Sequence, residues 1–169
     1  SAKEWDKVDD TTLYANWTAN EVKDIRPTGD RAVIPPENSE TVPATPDSPT
    51  VKVAEVDGVS ESVSFKGTSD VESPTASLSG FTAPVVFAKF EIETTPGTNT
   101  RFVIDIEKKE GINPQYIFLR HHSGNGWDNG HIKGTYLGEI ISGFFRFEFP
   151  ISSCSPFAVV YEEPVSNPQ

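Results

Sequence analysis

Residues 138–163 read GEIISGFFRFEFPISSCSPFAVVYEE, and this stretch decides the fold. Phe145, Phe147 and Phe149 alternate with Arg146 and Glu148, the period of two expected of a strand with one buried face. After Pro150 and a Ser-rich corner, Phe157-Ala158-Val159-Val160-Tyr161 is apolar at every position, as in a strand covered on both sides. Together they predict the closing pair of strands of an all-β domain.

The same texture extends upstream to Thr50. Val51 to Val56 predicts a strand ended by the Asp57-Gly58 turn, and Val63 and Phe65 mark a second. A Ser/Thr/Pro loop, residues 68–80, separates them from a longer strand over 85–93 with Ala88, Phe90 and Ile92 inward. The turn Pro96-Gly97-Thr98-Asn99 leads to Phe102, Ile104 and Ile106, and Tyr116-Ile117-Phe118-Leu119 is another run covered on both faces. A turn-rich loop over 121–130 and a short strand over 131–136 complete the series. About eight strands, roughly 10–15 residues apart and with no helical periodicity, predict an antiparallel Ig-like β-sandwich over residues 50–163. Eleven Phe against three Trp and four Tyr predict a core built of phenylalanine.

Residues 23–49 carry Pro27, Pro35, Pro36, Pro43, Pro46 and Pro49, which fix φ and remove donors. They are expected to form an extended, semi-rigid linker, with Ala32-Val33-Ile34 touching a neighbouring domain or making a short edge strand. Residues 1–22 hold Trp5, Leu13, Tyr14 and Trp17, too apolar for a free tail and too short to fold alone, so a short N-terminal β segment is expected there.

A net charge of −11 argues against nucleic acid and against an anionic membrane surface, and is explained by solubility. No apolar run approaches the length of a membrane helix. The single cysteine, Cys154, allows no internal disulfide and no cysteine metal cluster, and is expected to sit half-buried as a small apolar residue. The chain begins with Ser and holds no Met, as expected of a segment of a longer protein.

Glu91, Glu93, Asp105, Glu107 and Glu148 fall at outward strand positions, where solvation accounts for them better than paired-carboxylate catalysis. His121, His122 and His131 gather around one loop with Asp128, a set that could hold Zn²⁺. Adjacent His121 and His122 point to opposite faces of a continuing strand, so both cannot meet one ion without a bulge. No Ser or Cys nucleophile motif and no Gly-rich phosphate loop accompanies them. No enzyme activity, cofactor or metal is therefore expected. The loop HHSGNGWDNGH remains the best ligand candidate. Trp127 could offer a flat face to a sugar ring while His121, His122, Asp128 and Asn129, with Tyr136 beyond, contact its hydroxyls.

Two stretches resemble known families. Trp5-Asp6 and Asp10-Thr11-Thr12-Leu13-Tyr14-Ala15-Asn16-Trp17 look like the last strands of the Listeria–Bacteroides repeat, a β-grasp-like module of bacterial surface proteins. Residues 85–163, with Tyr116-Ile117-Phe118-Leu119-Arg120-His121-His122, the Gly/Asn/Trp turn and Ser155-Pro156-Phe157-Ala158-Val159-Val160-Tyr161, resemble Ig-like modules near the end of Firmicute surface proteins. Cys154 departs from that pattern, which more often has an apolar or aromatic residue there. Behind such a module, Asn167-Pro168-Gln169 looks like the start of a sortase signal of the Asn-Pro-Gln-Thr-Gly type, following a spacer from residue 164. The resemblances imply an extracellular, wall-attached protein whose partners are sortase and peptidoglycan. They imply a monomeric, non-enzymatic spacer that presents distal modules. The alternative is a module binding a glycan or host protein through the Trp127 loop.

Overall fold

The computed structural model describes residues 23–165 except 36–38, 40, 69, 70, 98 and 142. The expected β segment of residues 1–22 and the sorting tripeptide 167–169 lie outside the described residues. The protein is a sandwich of two antiparallel sheets, and among the described residues its only helical element is a 3-10 turn, Pro114–Tyr116. Twelve strands are described rather than about eight: β1 Lys23–Ile25, β2 Arg31–Val33, β3 Val42–Pro43, β4 Val51–Asp57, β5 Val63–Gly67, β6 Val85–Glu93, β7 Arg101–Glu107, β8 Ile117–His122, β9 Trp127–Lys133, β10 Thr135–Ile141, β11 Phe144–Pro150 and β12 Ser155–Tyr161. Sheet I has the order β9-β8-β12-β6-β5-β1, with β3 also pairing β6, and sheet II the order β10-β11-β7-β4-β2.

The excess over eight strands has two sources. The proline-rich segment 23–49, expected as a linker, supplies β1, β2 and β3. Each pairs through two or three residues only, so Pro27, Pro35 and Pro46 stay outside the ladders. Ala32-Val33 takes the edge-strand option. The segment 131–136, expected as one strand, splits at Gly134 as the chain passes from β9 in sheet I to β10 in sheet II. A Cβ at Gly134 would lie 2.7 Å from the Phe149 ring, so only glycine fits this crossing.

Phe145, Phe147 and Phe149 of β11 and Phe157 and Val159 of β12 do face one core, but β11 and β12 belong to opposite sheets. Phe157 lies edge-on to Phe102 of sheet II at 5.0 Å and stacks on Phe90 of its own sheet at 5.6 Å. Phe65, Phe90, Phe102, Phe147, Phe149 and Phe157 are all fully buried. At about 1.5–3 kcal/mol each, these rings dominate the apolar burial that closes the sandwich.

The runs apolar at every position are explained by a second, smaller core on the outer face of sheet I. Phe118, Ala158 and Val160 are buried there against Phe81, Val86 and Trp127. Their cover is the Ser/Thr/Pro loop, which lies across this face as a strap. Its C-terminal end is tied to the chain after β12 by the Thr82 N–H donating to the Glu163 carbonyl at 2.9 Å and the Val165 N–H to the Gly80 carbonyl at 2.9 Å.

The outer face of sheet II is a charge ladder instead. Arg146 bonds Asp105, Arg101 bonds Glu148 at 2.8 Å, and Arg31 lies 3.2 Å from Glu55 and 3.4 Å from Asp57. Asp105, expected as a solvated outward acid, is in fact buried and neutralised by Arg146.

Candidate functional site

The loop expected over 121–130 is a tight hairpin. β8 runs through His121 and His122, residues 123–126 turn, and β9 begins at Trp127. The Ser123 N–H donates to the Gly126 carbonyl at 2.9 Å, and Gly124 takes the positive φ, 103°, that the turn requires. Trp127 pairs His122 and His131 pairs Arg120, so four steps on β9 oppose two on β8 and Asp128, Asn129 and Gly130 bulge out.

The two adjacent histidines diverge as a continuing strand requires. His121 turns inward, its ring 5.3 Å from Phe157, and His122 turns outward, edge-on to Trp127 at 5.0 Å. The bulge brings Asp128 back to His121, with Nδ1 to Oδ2 at 2.6 Å, and His121 Nε2 lies 3.1 Å from the Ser153 hydroxyl. Nδ1–H donates to the carboxylate, which can only accept, and the Ser153 hydroxyl and Nε2 close the chain on the other side.

The order Ser–His–Asp is that of a nucleophile relay, which works when a buried carboxylate orients the imidazole and preorganised donors face the hydroxyl. Here the Asp128 side chain is 47% exposed, so water competes for it. The trio acts first as a polar tie between the β9 bulge and the β11–β12 corner. Burial, the larger effect, and Glu93 raise the neighbouring Cys154 thiol, with a Thr94 backbone hydrogen bond opposing, so it stays protonated at neutral pH.

On the outer face of sheet I the strap and hairpin enclose a cleft of about 590 Å³. Strap residues 71–78 form one wall, and His122, Asn125, Gly126, Trp127 and Asn129 the other, with Arg120 at the base. Trp127 is half-buried and its indole N–H donates to the Glu72 carbonyl at 2.8 Å, which joins hairpin to strap. Arg120 is 3% exposed and Glu162 is completely buried; Arg120 Nη1 donates to Glu162 Oε2 at 3.1 Å. The other carboxylate oxygen takes His131 Nδ1 at 3.2 Å, and the His131 ring stacks on Phe118 at 3.7 Å. Arg120 Nη2 reaches the Asp128 carbonyl only at 3.4 Å, and the buried Nε has no hydrogen-bond partner. Leaving such a donor unsatisfied costs about 1–3 kcal/mol.

Of the residues singled out from sequence, Trp127, His122 and Asn129 line this cleft. His121 and Asp128 line a separate hollow of about 220 Å³ with Ser152 and Ser153. Tyr136 joins neither group: it lies on β10 in the other sheet, against Phe145 and Phe147. Sequence reasoning missed Arg120, Glu162 and Ser153. A usable signal existed for the first pair, since period-two alternation puts Arg120 on the face of Phe118 and Glu162 on the face of Val160, both in runs too apolar for an open surface. Among the described residues, no group of three or more His, Cys, Asp or Glu is placed to hold a metal ion.

No protein family matches this sequence, and neither a curated protein nor a solved structure is significantly similar to it.

Proposed function

We propose that this is a spacer module of an extracellular, wall-attached bacterial surface protein, holding distal modules away from the wall. The resemblances of its two ends to surface-protein repeats and to a sortase signal supply the setting, with sortase and peptidoglycan as partners. The observation that carries the mechanical role is the position of β12. This C-terminal strand is central in sheet I, paired through Tyr161 with both β6 and β8. Tension leaving the domain along β12 loads two ladders together rather than opening one bond at a time.

Entry and exit of the chain are also set apart. Lys23 pairs Phe65, Phe65 pairs Ile92, and Ile92 pairs Ser155, so Lys23 shares a row with the start of β12. Tyr161 lies six residues further on, about 20 Å along the strands and three strand spacings, about 14 Å, across. A spacer needs such a separation. The Trp127 N–H is used by the strap and its ring is half-buried, so it offers no open stacking platform and presents only the side that lines the cleft.

Single-molecule extension between the chain ends tests this reading. After β1, held by three paired residues, peels away, the remaining sandwich is expected to rupture in one step. Gradual extraction of β12 ahead of the rest would overturn it.

A further inference from the structure

We propose that the cleft at Arg120 binds a sugar bearing a carboxylate, of the uronic or sialic acid class, whose carboxylate closes the Nε/Nη2 edge of the Arg120 guanidinium. The protein contains its own reference for that contact. Arg146 presents the same edge to Asp105, with Nε to Oδ1 at 2.7 Å and Nη2 to Oδ2 at 2.9 Å, the two-point geometry in which a guanidinium matches a carboxylate. On Arg120 that edge is open: Nε has no hydrogen-bond partner, and Nη2 has the 3.4 Å contact to the Asp128 carbonyl. Glu162 cannot swing round to close it, because its oxygens are held by Arg120 Nη1 and by His131.

Charge favours the same ligand. Lys89, also buried, pairs Ala158, which pairs Arg120, so the two cations share one row beneath the strap. The Lys89 ammonium donates to the Val71 carbonyl, a neutral partner. Glu162 is the one carboxylate among the buried residues described on this face. An incoming carboxylate balances the second cation.

Apart from the exposed Glu72, whose backbone carbonyl accepts from Trp127, the remaining lining is neutral and suits a sugar. Asn125, Asn129, Ser73 and Ser77 offer neutral amides and hydroxyls, and the half-buried Trp127 ring offers an apolar side. The volume, about 590 Å³, is in the range of small-molecule sites. Arg120 lines the cleft but its Nε is buried, so seating the carboxylate requires displacing the long Nη2 contact and shifting the bulge that carries Asp128 and Asn129. The site is independent of the spacer role, and its failure would leave that role standing.

The test is a titration of the ¹⁵N-labelled chain with methyl glucuronoside, its methyl ester and methyl glucoside, with N-acetylneuraminate as a second acid. The readouts are the Trp127 indole, the Asn129 amide and the Arg120 Nε–H. Saturable shifts with one or both acids, and binding at least about tenfold weaker for ester and glucoside, are expected. Which acid binds distinguishes the two sugar classes. Equal binding of acid and ester, or no shift with either acid up to about 10 mM, would overturn the proposal. Arg120→Lys keeps the charge but lacks the planar edge, so a folded R120K chain is expected to lose binding about tenfold; unchanged affinity would count against the site. The acid and ester comparison on the unaltered chain decides the matter even where R120K does not fold.

Discussion

On the outer face of sheet II, Arg146 closes a two-point contact with Asp105, and its side chain is still 21% exposed. On the outer face of sheet I, Arg120 is 3% exposed, bonds Glu162 through one nitrogen and leaves Nε unpartnered. The open face thus has the better-matched guanidinium and the covered face the poorer one. Sheet II does hold an unmatched atom, Asp57 Oδ1, but a cation lies 3.4 Å away. Burial costs little where the charge can still reach water and much where a strap seals it. The proposed sugar carboxylate would give this buried donor the acceptor that the scaffold does not supply.

The largest expected effect comes from removing the carboxylate on each face. Glu162→Gln leaves a sealed Arg120 without a counter-charge and is expected to cost about 3–5 kcal/mol in urea denaturation. Asp105→Asn leaves Arg146 close to water and is expected to cost no more than about 2 kcal/mol. Equal losses would break the comparison.

Next is the strap itself. Phe81 lies edge-on to Phe118 at 5.8 Å and to His131 at 4.8 Å. Phe81→Ala is expected to cost about 2 kcal/mol and to speed amide exchange at Thr82 and Val165, while β7 and β11 keep their protection. Unchanged exchange at those amides would show that the strap is held by something other than this ring.

A smaller effect is expected at the polar tie. Ser153→Ala should cost about 0.5–1.5 kcal/mol, the worth of one hydrogen bond, and the native chain should not react with a fluorophosphonate probe. Labelling at Ser153 would instead make the trio a working nucleophile relay.

The smallest effect concerns Glu55, whose carboxyl is held above its ordinary range, first by burial and then by its hydrogen bond to Asp57. A raised folded-state value means that ionising Glu55 costs stability above that pKa, and the cost disappears when both states are protonated. Glu55→Gln is therefore expected to be neutral or stabilising by under about 1 kcal/mol at pH 7. The difference should vanish below about pH 4 in paired thermal melts. Destabilisation at pH 7 would mean that the Arg31 contact outweighs burial.

The sandwich was legible wherever a strand carries its own pattern. Phe145, Phe147 and Phe149 alternate because one face of β11 is buried, and the run from Phe157 to Val160 has no alternation because both faces of β12 are. β1, β2 and β3 carry no such pattern: strands of two or three residues exist only through their partners β5, β4 and β6. The site was less legible. His121 and Ser153 are brought together over 32 positions by the fold, and Asp128 reaches His121 only because β9 bulges. The burial of Arg120 and Glu162 was legible only indirectly, from the apolar runs beside them, because a Ser/Thr/Pro composition does not announce a cover.

The most direct measurement compares the Nε–H resonances of Arg120 and Arg146 in the free protein. Arg146 should show the downfield proton of a bond to carboxylate, whereas Arg120 should show a slowly exchanging proton without that shift, buried yet unbonded. A downfield, carboxylate-bonded Arg120 Nε–H before any sugar is added would contradict the account.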